Sequence, residues 1–136
     1  MDENEIKNII ESLIDTFLIA GDLSIQLRNE GLQKEIKSDN TPVSNGDLEV
    51  NKIFKKKILK LTPDIPIVSE ETSHNKSKDD LKDFWLIDPI DGTYDYINNK
   101  EEFTLNAGLI LTRKAVAGLI NVPAKNRMFY SYGKNN

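Results

Sequence analysis

The sequence predicts an α+β protein, two long helices followed by a mainly antiparallel sheet, on two observations. Apolar residues recur at helical spacing up to Leu61, and from Phe103 onward they alternate with polar ones. No internal repeat or low-complexity tract divides the chain. Its 136 residues fit one domain, residues 1–136.

Ile6, Ile9, Ile10, Leu13, Ile14, Phe17 and Leu18 form the one-sided stripe of an amphipathic helix, expected to run to about Asn29. Gly31 supplies the residue that stops it. Lys37 to Pro42 is turn chemistry, rich in Asp, Asn, Ser and Pro. Ser44, with Asp47 three residues on, is a capping-box pattern that opens a second helix. Val50, Ile53, Phe54, Ile58 and Leu61 line its apolar side, and Thr62-Pro63-Asp64 ends it. Ile65 to Ser69 is a short strand that Pro66 assigns to a sheet edge or a strand start.

Residues 72 to 83 are polar and unpatterned, which predicts a solvated loop or frayed turn with His74 in solvent. Phe84 to Ile87 reads as a buried strand leading into a tight loop, Asp88 to Thr93, because proline and glycine interrupt it. Phe103, Leu105, Ala107, Leu109 and Leu111 then mark a long strand with one apolar face. Arg113-Lys114 turns it. Ala115 to Val122 and Arg127 to Tyr132 continue an antiparallel meander.

Composition narrows the chemistry. With no cysteine, disulfides, thiolate metal sites and a cysteine nucleophile are excluded. Eighteen basic against 22 acidic residues, a net charge of −4, argue against a nucleic-acid polymer or an anionic membrane as main partner. A small anionic substrate then needs a locally positive site or a metal. The acidic amino terminus lacks an export pattern and no apolar run approaches the ~20 residues of a membrane span, so a reducing cytoplasm is expected.

Four carboxylates fall where irregular backbone meets secondary structure: Asp47, Glu70, Asp88 and Asp91. Asp88 closes an otherwise apolar strand, where an ionised group is costly without a positive partner. All-oxygen ligation, with no histidine or cysteine nearby, suits magnesium at distances of about 2.0–2.1 Å. Each residue alone has a plainer reading: Asp47 as helix cap, Glu70 and Glu71 as a solvated strand end, Asp88 and Asp91 as turn formers. Their conjunction favours a metal site.

Gly92 lets backbone approach a ligand closely, and a helical turn from Thr93 through Tyr96 aims loose amides at an anion. Two magnesium ions beside that cradle, about 3.5–4 Å apart, would favour hydrolysis of a phosphate monoester.

Val68-Ser69-Glu70-Glu71 and Trp85-Leu86-Ile87-Asp88-Pro89-Ile90-Asp91-Gly92-Thr93 resemble the two signatures of the inositol monophosphatase superfamily of magnesium-dependent, lithium-sensitive phosphatases. Asp39 to Asp47 is similar to that family's earlier segment, which ends in a Val-Thr-x-Ala-Asp pattern; Ser44 and Gly46 depart from it. The resemblance implies that Glu70, Asp88 and the Ile90 carbonyl hold a first metal and that Asp88 and Asp91 help hold a second, in a complete site of two or three magnesium ions. It implies that Asp47 and Thr93 orient the attacking water, Asp47 drawing the proton through the threonine hydroxyl. Asp91, Gly92 and Thr93 would meet the substrate phosphate, the last two through their amides.

Tyr94-Asp95-Tyr96-Ile97 followed by Glu102-Phe103-Thr104-Leu105-Asn106 looks most like the superfamily's 3′(2′),5′-bisphosphate nucleotidases, whose pattern is Lys-Glu-Phe-Ile and then Gly-Glu-Phe-Thr-Val-Asn. Tyr94 and Tyr96 depart from it. That similarity implies removal of the 3′-phosphate of adenosine 3′,5′-bisphosphate, a by-product of sulfate activation; an inositol-1-phosphate or related sugar-phosphate phosphatase is the alternative.

Family members are about twice as long, and their second half carries a Trp-Asp-x-Ala-Ala-Gly-like segment with a further metal-binding aspartate. The expectation is therefore the N-terminal half of a layered αβαβα sandwich, a fragment or split product ending at Asn136. Its partners would be a small phosphorylated substrate and the missing C-terminal half or a further copy in a homo-oligomer. An inert metal-binding or assembly half-domain is the non-enzymatic alternative. A haloacid-dehalogenase-type phosphatase fits poorly, because Pro89 and Ile90 both stand between the two aspartates where that loop has a single residue.

Overall fold

The first helix starts before its apolar stripe does, because Asp2 caps it. The Asp2 carboxylate accepts from the Glu5 N–H at 2.8 Å, and helix α1 spans Glu3–Glu30. Ile10, Leu13, Phe17 and Ala20 are fully buried along its inner face, and Gly31 follows at φ 99°. The computed structural model describes residues 1–69 and 81–133.

Between the helices the expected turn is the tip of a small hairpin. β1 (Lys34–Ile36) pairs antiparallel with β2 (Pro42–Ser44), closed by Lys37 N–H to the Thr41 carbonyl at 2.8 Å. The sequence gives no alternation here, since all three residues of β1 are exposed. Helix α2 (Asn45–Leu61) then starts on the capping box formed by Ser44 and Asp47. Its Val50, Phe54 and Ile58 are buried, and Phe54 stacks on Phe17 of α1 with ring centroids 4.1 Å apart. Burial of such a ring stabilises by about 1.5–3 kcal/mol.

β3 is shorter than expected, Ile67–Ser69, and runs parallel to β4 (Phe84–Asp91) with Ser69 opposite Ile87. Pro66 precedes it, accepting the Trp85 N–H at 2.8 Å, and β3 is the edge of the sheet among the described residues. Glu70, Glu71 and His74 lie outside the described residues, as does most of the loop expected over 72–83.

The loop expected from Asp88 to Thr93 requires correction: β4 runs on through Asp88-Pro89-Ile90-Asp91. Pairing with β5 (Thr104–Leu111) shifts register between Asp88 and Asp91, so the missing proline N–H falls where no ladder bond is needed. The turn is confined to Gly92, after which α3 (Thr93–Ile97) forms one short helical turn.

β5 and β6 (Lys114–Val122) are joined by Thr112 and Arg113, both left-handed, so the turn lies one residue earlier than expected. A 3-10 turn at Pro123–Lys125 leads to β7 (Arg127–Ser131). The sheet order is β3-β4-β5-β6-β7, parallel at the first pair and antiparallel thereafter. This is the α+β arrangement expected, two long helices on a mainly antiparallel sheet.

Trp85, Ile87, Leu105, Leu109 and Leu119 face the helices and are buried. Leu86, Ile120 and Phe129 remain substantially exposed and line an open groove of about 710 Å³. No helix among the described residues is long and apolar enough to cross a membrane.

Candidate active site

Asp47 is fully buried, and each of its carboxylate oxygens is engaged. Oδ2 accepts from the Ser44 N–H at 2.8 Å and from the Ser44 hydroxyl at 2.6 Å, while Oδ1 accepts from the Thr93 hydroxyl at 2.8 Å. The capping box thus fixes one oxygen and leaves the other aimed at α3. Thr93 Oγ1 also lies 3.2 Å from the Ile90 carbonyl oxygen, so Asp47, Thr93 and Ile90 form a contiguous line of oxygens. A hydroxyl carries one hydrogen, and the shorter contact directs it toward Asp47.

Gly92 makes that line possible. It sits at φ 87°, and a Cβ there would lie 2.9 Å from the Glu102 carbonyl oxygen. The Tyr96 N–H closes on the Gly92 carbonyl at 2.9 Å and fixes the short helix on which Thr93 stands.

Asp88 and Asp91 come together on the open face of the sheet. Asp88 is two residues past exposed Leu86 and pairs across the ladder with Asn106. The Asn106 side-chain amide in turn donates to Asp91 Oδ2 at 3.4 Å. Both aspartates line the groove with Asn106, Asp88 half-buried and Asp91 exposed. The donors gathered here are carboxylate and carbonyl oxygens, which is the chemistry of a hard cation. Among the described residues no group of three metal-ligating side chains assembles, and the third expected carboxylate, Glu70, lies outside them.

The sequence of residues 5–135 matches the inositol monophosphatase family. The chain belongs to that family. A relative from Haemophilus influenzae, a 3′(2′),5′-bisphosphate nucleotidase CysQ, is 34% identical over 108 residues, covering 78% of this chain and 40% of its own. The chain spans about half the length of the curated relatives it matches, from 40% to 52% of each. Among solved structures, a Thermotoga maritima inositol monophosphatase superposes with a TM-score of 0.78 at 24% identity, over 90% of this chain and 47% of the other. An IMPase/NADP phosphatase solved with Mg2+ and phosphate gives 0.79 at 20% identity, over 93% of this chain and 48% of that one. These superpositions show the inositol monophosphatase fold over about half of each neighbour.

Within this family fold, several supporting residues escaped the sequence reading. Asn51, one turn after Asp47 on α2, is buried and accepts the Ser69 hydroxyl at 2.6 Å, holding the end of β3 that leads into Glu70. An amide on an apolar helix face was the available signal. Arg28 of α1 donates to the carbonyls of Lys100 at 2.7 Å and Tyr96 at 3.3 Å, and its guanidinium lies 4.9 Å from the Phe103 ring centroid. It clasps the end of α3 and the segment that follows it; no periodicity announces such a contact. Burial pushes the Tyr96 phenol well above its ordinary value; the Asp47 charge adds to this, and Arg28 opposes it.

Proposed function

We propose that this chain is the metal- and phosphate-facing half of a magnesium-dependent phosphomonoesterase of the 3′(2′),5′-bisphosphate nucleotidase type, folded as one domain over residues 1–136 and acting in the cytoplasm. The observation that carries the reading is the Thr93 hydroxyl donating to buried Asp47 beside the Ile90 carbonyl, with Asp88 and Asp91 on one groove close by. The CysQ relatives and the neighbour solved with Mg2+ and phosphate support it. The preferred substrate is a small phosphorylated molecule such as adenosine 3′,5′-bisphosphate, with inositol-1-phosphate or a related sugar phosphate as the alternative.

Glu70, Asp88 and the Ile90 carbonyl would hold one magnesium ion, and Asp88 and Asp91 would help hold another. Bound there, the ions supply acidification of water and neutralisation of phosphate charge. Thr93 gives its hydrogen to Asp47, which leaves its oxygen lone pairs to accept from a water and orient it. Asp47, fixed on the other side by two donors from Ser44, cannot turn away and receives the proton that passes through the threonine oxygen. The amides of Gly92 and Thr93, with Asp91 beside them, would face the substrate phosphate.

The open sheet face and the half-length match support a complementary C-terminal half, or a further copy of the chain, as the partner that completes the pocket. An inert half-domain is the second reading, supported by the chain's spanning only about half the length of its curated relatives.

The test is phosphate release from adenosine 3′,5′-bisphosphate and from inositol-1-phosphate by a chimera joining this chain to the second half of a CysQ relative, with and without magnesium. Magnesium-dependent release that Asp88→Asn abolishes supports the enzyme reading. A folded chimera that releases no phosphate from either substrate overturns it in favour of the inert half-domain.

A further inference from the structure

Tyr96 is fully buried, and its hydroxyl donates to the Ser24 carbonyl of α1 at 2.6 Å. The space for that hydroxyl comes from Gly46. A Cβ built on Gly46 would overlap the Tyr96 oxygen and stand 2.7 Å from the ring carbon Cε2. Gly46 does not have a positive φ, so room, not backbone freedom, is what its lack of a side chain provides. Gly46 immediately precedes Asp47 on α2, and Thr93 stands three residues before Tyr96 on α3. The Gly46–Tyr96 contact therefore sits directly behind the Asp47–Thr93 hydrogen bond and ties both of its helices to α1.

We propose that Tyr96 is a positioning residue for the Asp47–Thr93 pair and that Gly46 is its steric counterpart, the two acting as one unit. The proposal rests on the reading of Asp47 and Thr93 as the water-orienting pair. Loss of the hydroxyl removes the tie from α3 to the Ser24 carbonyl and leaves Arg28 as the hold of α1 on α3, and a side chain at 46 forces the phenol outward.

Four full-length chains test it: the parent, Gly46→Ala, Tyr96→Phe and the double variant. Urea unfolding reads the steric half: Gly46→Ala lowers the midpoint most, Tyr96→Phe lowers it less, and the double variant loses less than the sum of the two, because Phe removes the atom that a Cβ at 46 meets most closely. Additive losses overturn it. The positioning half is read from side-chain methyl resonances of the folded Tyr96→Phe chain. The Thr93 methyl shifts or broadens while the Leu109 methyls, in the sheet core, hold their positions. A Thr93 methyl that moves no more than those of Leu109 overturns the positioning role. Both readouts are taken without metal or substrate, so failure of the phosphatase reading registers only in phosphate release and failure of this unit only here.

Discussion

The Thr93 hydroxyl donates to Asp47 Oδ1 at 2.8 Å across 46 residues of sequence, joining the start of α2 to the start of α3. Thr93→Val keeps the shape and removes the donor, leaving a buried carboxylate oxygen short of a partner. The expected cost is about 1–3 kcal/mol of stability by urea unfolding. In the chimera that tests the proposed function, turnover should fall by about a hundredfold or more. Thr93→Ser should retain most of both.

Gly92→Ala places a methyl group against the Glu102 carbonyl at a φ that alanine rarely adopts. A loss of about 1–3 kcal/mol is expected from the backbone alone. An unfolding midpoint equal to that of the parent chain would contradict the conformation assigned to this turn.

Asn51→Ala removes the acceptor of the buried Ser69 hydroxyl. A stability loss of about 1–3 kcal/mol is expected, together with faster exchange of the β3 amides than of the β5 amides. Equal acceleration in both strands would show that the bond does not hold β3 in particular.

Burial raises the Tyr96 phenol in the folded chain, with the Asp47 charge adding to the shift. The unfolded chain then releases this proton first, so above about pH 10 the folded state binds more protons and stability falls as pH rises. Below that value the contribution is fully present. Melting temperatures between pH 9 and 11 should decline more steeply for the parent than for Tyr96→Phe; parallel slopes would contradict the assignment.

The helices were legible because one side of each is apolar at helical spacing, and the capping box named the start of α2 outright. The meander was legible from Leu105, Ala107 and Leu109, whose alternation survives in the burial pattern. The continuation of β4 was hidden because Pro89 signals a loop when taken alone, and only pairing with β5 shows that the register shift absorbs it. β1 was hidden because nothing in it is buried. Asp47, Thr93 and Asp91 could be singled out as residue types at element ends, and Asp88 as a charge directly after an apolar run. The contacts that brace them, Arg28 on the carbonyls of Tyr96 and Lys100 and Tyr96 on Ser24, each join residues 68 or more apart. Local pattern holds no trace of such pairs.

The most direct measurement of the central claim, that oxygen ligands of β4 and Glu70 converge on a divalent cation, is the melting temperature as magnesium is added. Carboxylates held together repel until a cation joins them, so magnesium should stabilise the fold, by about 2.7 kcal/mol at a hundredfold excess over its Kd. A rise of several degrees that Asp88→Asn erases is the predicted result. Identical melting curves with and without magnesium would contradict it.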